Sequence, residues 1–113
     1  MWIFTSNSFL SVVADRNHPG RLLVRARVKG DIERAFSDVG ADFVPEVMET
    51  KNADYLYRAS VPREVIGLVV AASVDSITYD NFKNSVDEGD RHDSLMDCWS
   101  AMVRLQTRRS RRI

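Results

Sequence analysis

The chain has 113 residues, 44% hydrophobic and 28% charged, with 16 Lys and Arg balanced by 16 Asp and Glu. That length is one domain, and the composition excludes wholesale disorder. No apolar run approaches the ~20 residues that span a bilayer, and Met1–Thr5 lacks the basic segment and apolar length of a signal peptide. No membrane association is expected. A soluble cytoplasmic protein is, and the lone Cys98 excludes an internal disulfide.

The balanced charge hides a gradient. Asp75, Asp80, Asp87, Glu88, Asp90, Asp93 and Asp97 crowd one region, while Arg104, Arg108, Arg109, Arg111 and Arg112 close the chain with no acid among them. Such asymmetry suggests a tail that folds back on its own body or reaches for an anion.

In chain order, Met1–Phe4 reads as a short edge strand and Ser6-Asn7-Ser8 as a turn. Phe9–Ala14 is β-branched and aromatic enough for a strand. Asp15–Gly20 closes a hairpin, Pro19-Gly20 supplying one fixed φ and one free one. The returning strand, Arg21 to Lys29, alternates strictly. Leu22, Val24, Ala26 and Val28 face one way, and Arg21, Leu23, Arg25, Arg27 and Lys29 the other.

Asp31 is placed to cap a helix carrying Ile32, Ala35, Phe36 and Val39 on one face, ended by Gly40. A second hairpin is expected from Phe43–Thr50 and Tyr55–Val61. Pro62 then opens a helix whose Val65–Val74 segment is apolar nearly all round, the pattern of a domain's most buried helix. Asp80 is placed to cap a short helix bearing Phe82 and Val86. The last helix starts near Asp90, with Leu95, Met96, Trp99, Met102, Val103 and Gln106 as its inward stripe.

These elements predict an α+β fold: a mainly antiparallel four-stranded sheet built from two β-β-α units, a ferredoxin-like sandwich with an added C-terminal helix. The expected organisation is a single domain over 1–107 and a basic Arg-rich tail over 108–113.

Several strings carry a resemblance: Met1–Thr5, Ser11–Arg16, Val24–Val28, Gly30–Arg34, Ala53–Arg58 with Val61-Pro62, and Tyr79–Lys83. Across most of its length the chain resembles a family of short, uncharacterised bacterial proteins. The resemblance implies a bacterial, cytoplasmic setting and brings no assigned activity. The Arg-rich end lies outside it.

Three groups of residues are candidates for function. Arg21, Arg25, Arg27 and Lys29 share one strand face at steps of about 6.7 Å, close to the phosphate spacing of a nucleic-acid strand, with Leu23 occupying the step between the first two. Arg58 extends the row from the other hairpin, and Phe9 offers a stacking surface beside it. The plainer reading is a solvated outer face paired with Glu46 or Glu49. The tail residues Arg108, Arg109, Arg111 and Arg112 either neutralise phosphates, dock on an acidic protein, fold onto Asp87–Asp97, or end a helix favourably. Met96, Trp99 and Met102 form either a core anchor or a partner interface.

His92, Cys98 and the acids of 87–93 match no metal-ligand or nucleophile spacing. No cofactor, metal site, catalytic residue or small-molecule substrate is inferred. The expectation is a non-enzymatic interaction module, a small adaptor, inhibitor or regulatory subunit, that binds a protein partner or a second copy of itself through an open sheet face or its C-terminal helix. A nucleic-acid-binding accessory protein is the alternative.

Overall fold

The computed structural model describes residues 1–111. Two compact units follow one another along the chain, Met1–Thr78 and one beginning at Tyr79. The first holds a five-stranded antiparallel sheet: β1 (Trp2–Thr5), β2 (Ser8–Ala14), β3 (Arg21–Ala26), β4 (Met48–Glu49) and β5 (Tyr57–Pro62). Their order across the sheet is β1-β2-β3-β5-β4. Two helices belong to the same unit, α1 (Asp31–Ser37) and α2 (Arg63–Asp75).

The α+β class and the antiparallel sheet are as expected. The four-stranded count is corrected to five, because β1 pairs along its whole length with β2, from Trp2 opposite Ser11 to Thr5 opposite Ser8. The ferredoxin-like expectation is corrected too. That arrangement needs β-α-β-β-α-β, whereas β1, β2 and β3 are here a meander of adjacent hairpins before any helix.

Strand alternation puts one side chain row on each side of the sheet. Val12, Val24 and Ala59 are cross-strand neighbours, as are Leu22 and Val61 in the next row. Helices α1 and α2 both cover this face, with Ile32, Ala35, Phe36, Ile66 and Val69 closing on Leu10, Val12, Val24, Ala26, Ala59 and Val61. Burying side chains such as Phe36 and Ile32 contributes about 1.5–3 kcal/mol each.

Val28 does not join the apolar row. β3 stops at Ala26, and Val28 is 50% exposed where the chain bends toward Gly30. The left-handed φ of +91° at Gly30 turns the backbone into α1. A side chain there would be strained and would also meet the Arg34 guanidinium.

Asp31 is not the cap but the first helical residue, and it is buried. Its carboxylate accepts from the Phe9 backbone N–H at 3.0 Å and from Arg34 Nη2. The β2–β3 ladder begins only at Ser11, so Asp31 supplies an acceptor beyond the reach of β3. At the other end of α1, Gly40 N–H donates to the Ser37 carbonyl and Ala41 N–H to that of Phe36, with Gly40 at φ +70°. This is the paired 5→2 and 6→1 bonding of a Schellman stop.

Two further elements differ from expectation. The Phe43–Thr50 arm contracts to Met48–Glu49; Pro45 has no N–H to give a ladder. Helix α2 is not the most buried helix: only Ile66 and Val69 are buried, and Leu68 and Val74 are 71% and 61% exposed. Its hydrophobic residues exceed what one face of contact with the sheet can cover.

In the second unit, a single 3-10 turn at Lys83–Ser85 precedes α3 (Gly89–Ser110). Asn81, not Asp80, supports that turn by accepting from Asn84 N–H at 3.3 Å. Gly89 is the first residue of α3. Arg108, Arg109 and Ser110, the first residues of the expected basic tail, are the last residues of α3.

Candidate binding face

The side of the sheet turned away from α1 and α2 carries the candidate site. One cross-sheet row runs through all five strands: Trp2 is opposite Ser11, Ser11 opposite Arg25, Arg25 opposite Arg58, and Arg58 opposite Met48. Trp2 and Met48 at its two ends are 65% and 61% exposed. At its centre two arginines stand directly opposite each other, an arrangement that destabilises a sheet unless the charges are drawn apart.

They are drawn apart by Tyr55 and Asp54. The Arg25 Cζ lies 4.4 Å from the centroid of the Tyr55 ring and the Arg27 Cζ lies 4.1 Å from it. Contacts of this kind are worth about 0.5–2 kcal/mol according to exposure. Arg25 Nη2 also donates to Ser11 Oγ at 2.7 Å, while its Nε is buried without an acceptor. Arg27 Nη1 donates to the Asp54 carbonyl at 2.8 Å. Arg58 turns the other way, its Nε to the Tyr55 carbonyl at 3.3 Å and its Nη2 to Asp54 Oδ1 at 3.4 Å.

Tyr55 is therefore the hub. It is 4% exposed, and its own N–H is held by Asp54 Oδ1 at 2.9 Å. Beyond it an aromatic cluster continues toward the β1 edge. Phe9 lies 6.4 Å from Tyr55, stacks on Phe4 at 4.5 Å, and meets Trp2 nearly perpendicularly at 5.7 Å. The stacking surface expected of Phe9 is thus taken up by Phe4.

Arg21 is committed within the fold. Its Nε donates to Ser60 Oγ at 2.9 Å and its Nη2 to the Ser60 carbonyl at 2.8 Å; Ser60 Oγ donates onward to Asp15 Oδ2 at 2.7 Å. The Ser60 hydroxyl, with help from the Asn17 N–H and His18, holds the Asp15 carboxyl below its ordinary range against the opposing effect of burial. This relay ties the β2–β3 loop to β5. Lys29 lies in the exposed turn after β3, off the strand row.

Arg25, Arg27 and Arg58 are thus brought together as expected, but their partners are Ser11, Tyr55 and Asp54, not Glu46 or Glu49. Tyr55, Trp2 and Met48 were missing from the residues read as a site. The strand register reveals Trp2 and Met48, and the contacts of Arg25 and Arg27 reveal Tyr55, although the Tyr-Leu-Tyr-Arg run at 55–58 was a compositional sign.

In the second unit, Met96 is half-buried, and Trp99 and Met102 are 53% and 62% exposed. Trp99 is not a core anchor; of the α3 residues only Leu95 is buried. Lys83 Nζ stands 5.9 Å from the Trp99 ring. Val103 and Gln106 are exposed as well, so the inward stripe shortens to its first turn. Arg108, Arg109 and Arg111 are exposed, and among the described residues no ion pair ties them to the acids of 87–97. Arg112 lies outside the described residues.

Among the described residues, no group of three or more His, Cys, Asp and Glu could hold a metal ion, and no helix is long and apolar enough to cross a membrane. Cys98 is exposed. Comparison of the chain with protein-family models, with curated proteins and with solved structures finds no match.

Proposed function

We propose that this protein is a non-enzymatic interaction module that binds a protein partner through the outer face of its sheet. The observation that carries the reading is the Trp2–Ser11–Arg25–Arg58–Met48 row. Trp, Tyr, Met and Arg are the side chains that concentrate binding energy at interfaces. Like charges facing each other at the middle of a sheet oppose folding, and such local conflict is characteristic of functional sites. A cytoplasmic setting belongs to the same proposal, since an exposed lone thiol suits a reducing compartment.

The nucleic-acid alternative has less support. Single-strand binders offer free aromatic faces to bases. Here Phe9 is stacked on Phe4, and the Tyr55 ring is engaged by Arg25 and Arg27.

The test is a photo-reactive residue placed at position 2 or 48, with position 68 on α2 as control, in cells making the protein at native level. A discrete protein adduct formed from positions 2 and 48 but not 68 is expected. Equal labelling from all three positions, or none from 2 and 48, would refute the reading.

A further inference from the structure

The outer face contains two kinds of arginine. Arg21 and Arg58 each have an acid in their network, Asp15 through Ser60 and Asp54 directly. Arg25 and Arg27 do not. Their polar partners are a serine hydroxyl and a backbone carbonyl, both neutral. Among the described residues no carboxylate pairs with either guanidinium, and the Arg25 Nε has no acceptor at all. The ring of Tyr55 attracts both groups without neutralising them, so two full charges stand side by side in a fixed place.

We infer that Arg25 and Arg27 form a clamp for carboxylates, and that the partner docks an extended acidic peptide segment there. This rests on the reading of the outer face as a contact surface and names what that surface selects. Both guanidiniums lie over one ring, so they are at most roughly 9 Å apart, a limit that admits the ~7 Å between alternate side chains of an extended chain. Aspartates or glutamates at alternate positions of a strand-like peptide can therefore meet both arginines, and each guanidinium is shaped to take a carboxylate through two N–H groups. Ring contact limits the side-chain freedom that binding would otherwise have to remove.

A carboxylate peptide fits better than a phosphate backbone. Asp54, 67% exposed on its side chain and bonded to Arg58, borders the clamp and would repel a continuous polyanion more than a segment with two or three carboxylates. Such a polymer also needs a longer basic track than two uncommitted charges. A short acidic segment needs only these two.

The test uses the full chain and a dye-labelled, end-blocked hexapeptide of alternating Glu and Val, followed by fluorescence polarisation at low salt. Saturable binding at up to millimolar concentration is expected, with none for the Gln-Val counterpart. Arg27→Gln changes an exposed side chain and should fold normally; it is expected to weaken binding about fivefold, with Arg25→Gln/Arg27→Gln abolishing it. Unchanged peptide affinity in folded Arg27→Gln would overturn the inference. So would tighter binding of an oligothymidylate than of the Glu peptide, in favour of nucleic acid. Absence of peptide binding while positions 2 and 48 still cross-link a partner would remove the carboxylate clamp and leave the contact surface standing.

Discussion

Asp31 offers the sharpest test of how this fold is held together. Its carboxylate is buried and joins three elements, accepting from Phe9 N–H in β2 and from Arg34 in α1, whose Nε also reaches the Asn7 carbonyl in the β1–β2 turn. Replacing Asp31 by Ala removes a charge-assisted bond and leaves the Phe9 N–H without an acceptor. A hydrogen bond to a charged group contributes about 1.5–3 kcal/mol, and a stranded buried donor costs about 1–3 kcal/mol. The two overlap in part, and Arg34 is 38% exposed, so water compensates that side.

The expected loss for Asp31→Ala is about 3 kcal/mol, a fall in Tm of roughly 15 °C for a cooperative unit of this size. Asp31→Asn keeps an acceptor for Phe9 and should lose about half as much. Urea unfolding followed by circular dichroism would measure both, the slope against denaturant staying constant if only stability changes. A cost for Asp31→Ala below about 1 kcal/mol would refute the reasoning, as would an Asn variant no better than the Ala one.

Other outcomes follow from the same structure. Gly30→Ala should cost about 1–2 kcal/mol by thermal melting, because it combines a φ of +91° with a Cβ placed against the Arg34 guanidinium. Asp15 has its carboxyl lowered by Ser60 and its neighbours, so its stabilising effect is present above the ordinary carboxylate value and is lost as pH falls below about 4. The stability difference between the wild type and Asp15→Asn should accordingly shrink to nothing in acid, as read from paired melts across pH. Leu68→Lys should change stability by less than about 0.5 kcal/mol, whereas Ile66→Ala on the opposite side of α2 should cost about 2–5 kcal/mol. Trp99→Ala should lower Tm by less than Ile66→Ala does, since about half of Trp99 stays in water.

What the sequence made legible was whatever depends on period and punctuation. The strict alternation of Arg21–Ala26 located both the core row and the basic row, and Ile32, Ala35 and Phe36 identified the buried side of α1. Gly40 was read correctly as a stop, for the reason its φ later displayed. Apolar content misled in α2 and α3. Hydrophobicity says which side chains could be buried, not how much surface is available to bury them, and Leu68, Val74 and Trp99 stayed outside. The binding face was half legible. Arg25, Arg27 and Arg58 could be named from alternation, but Tyr55 became their hub only through the pairing of β3 with β5, a contact between residues distant in sequence.

The stack of Arg25 and Arg27 on Tyr55 also gives this surface its own spectroscopic signal. Protons held over the face of an aromatic ring are shielded by its circulating electrons. The side-chain methylene and Nε–H resonances of these two arginines should therefore stand upfield of those of Arg104 or Arg108, which have no ring beneath them among the described residues. Any occupant that draws a guanidinium away would return its signals toward ordinary positions. The protein thus reports occupancy of the site by itself, without a dye, and residue by residue.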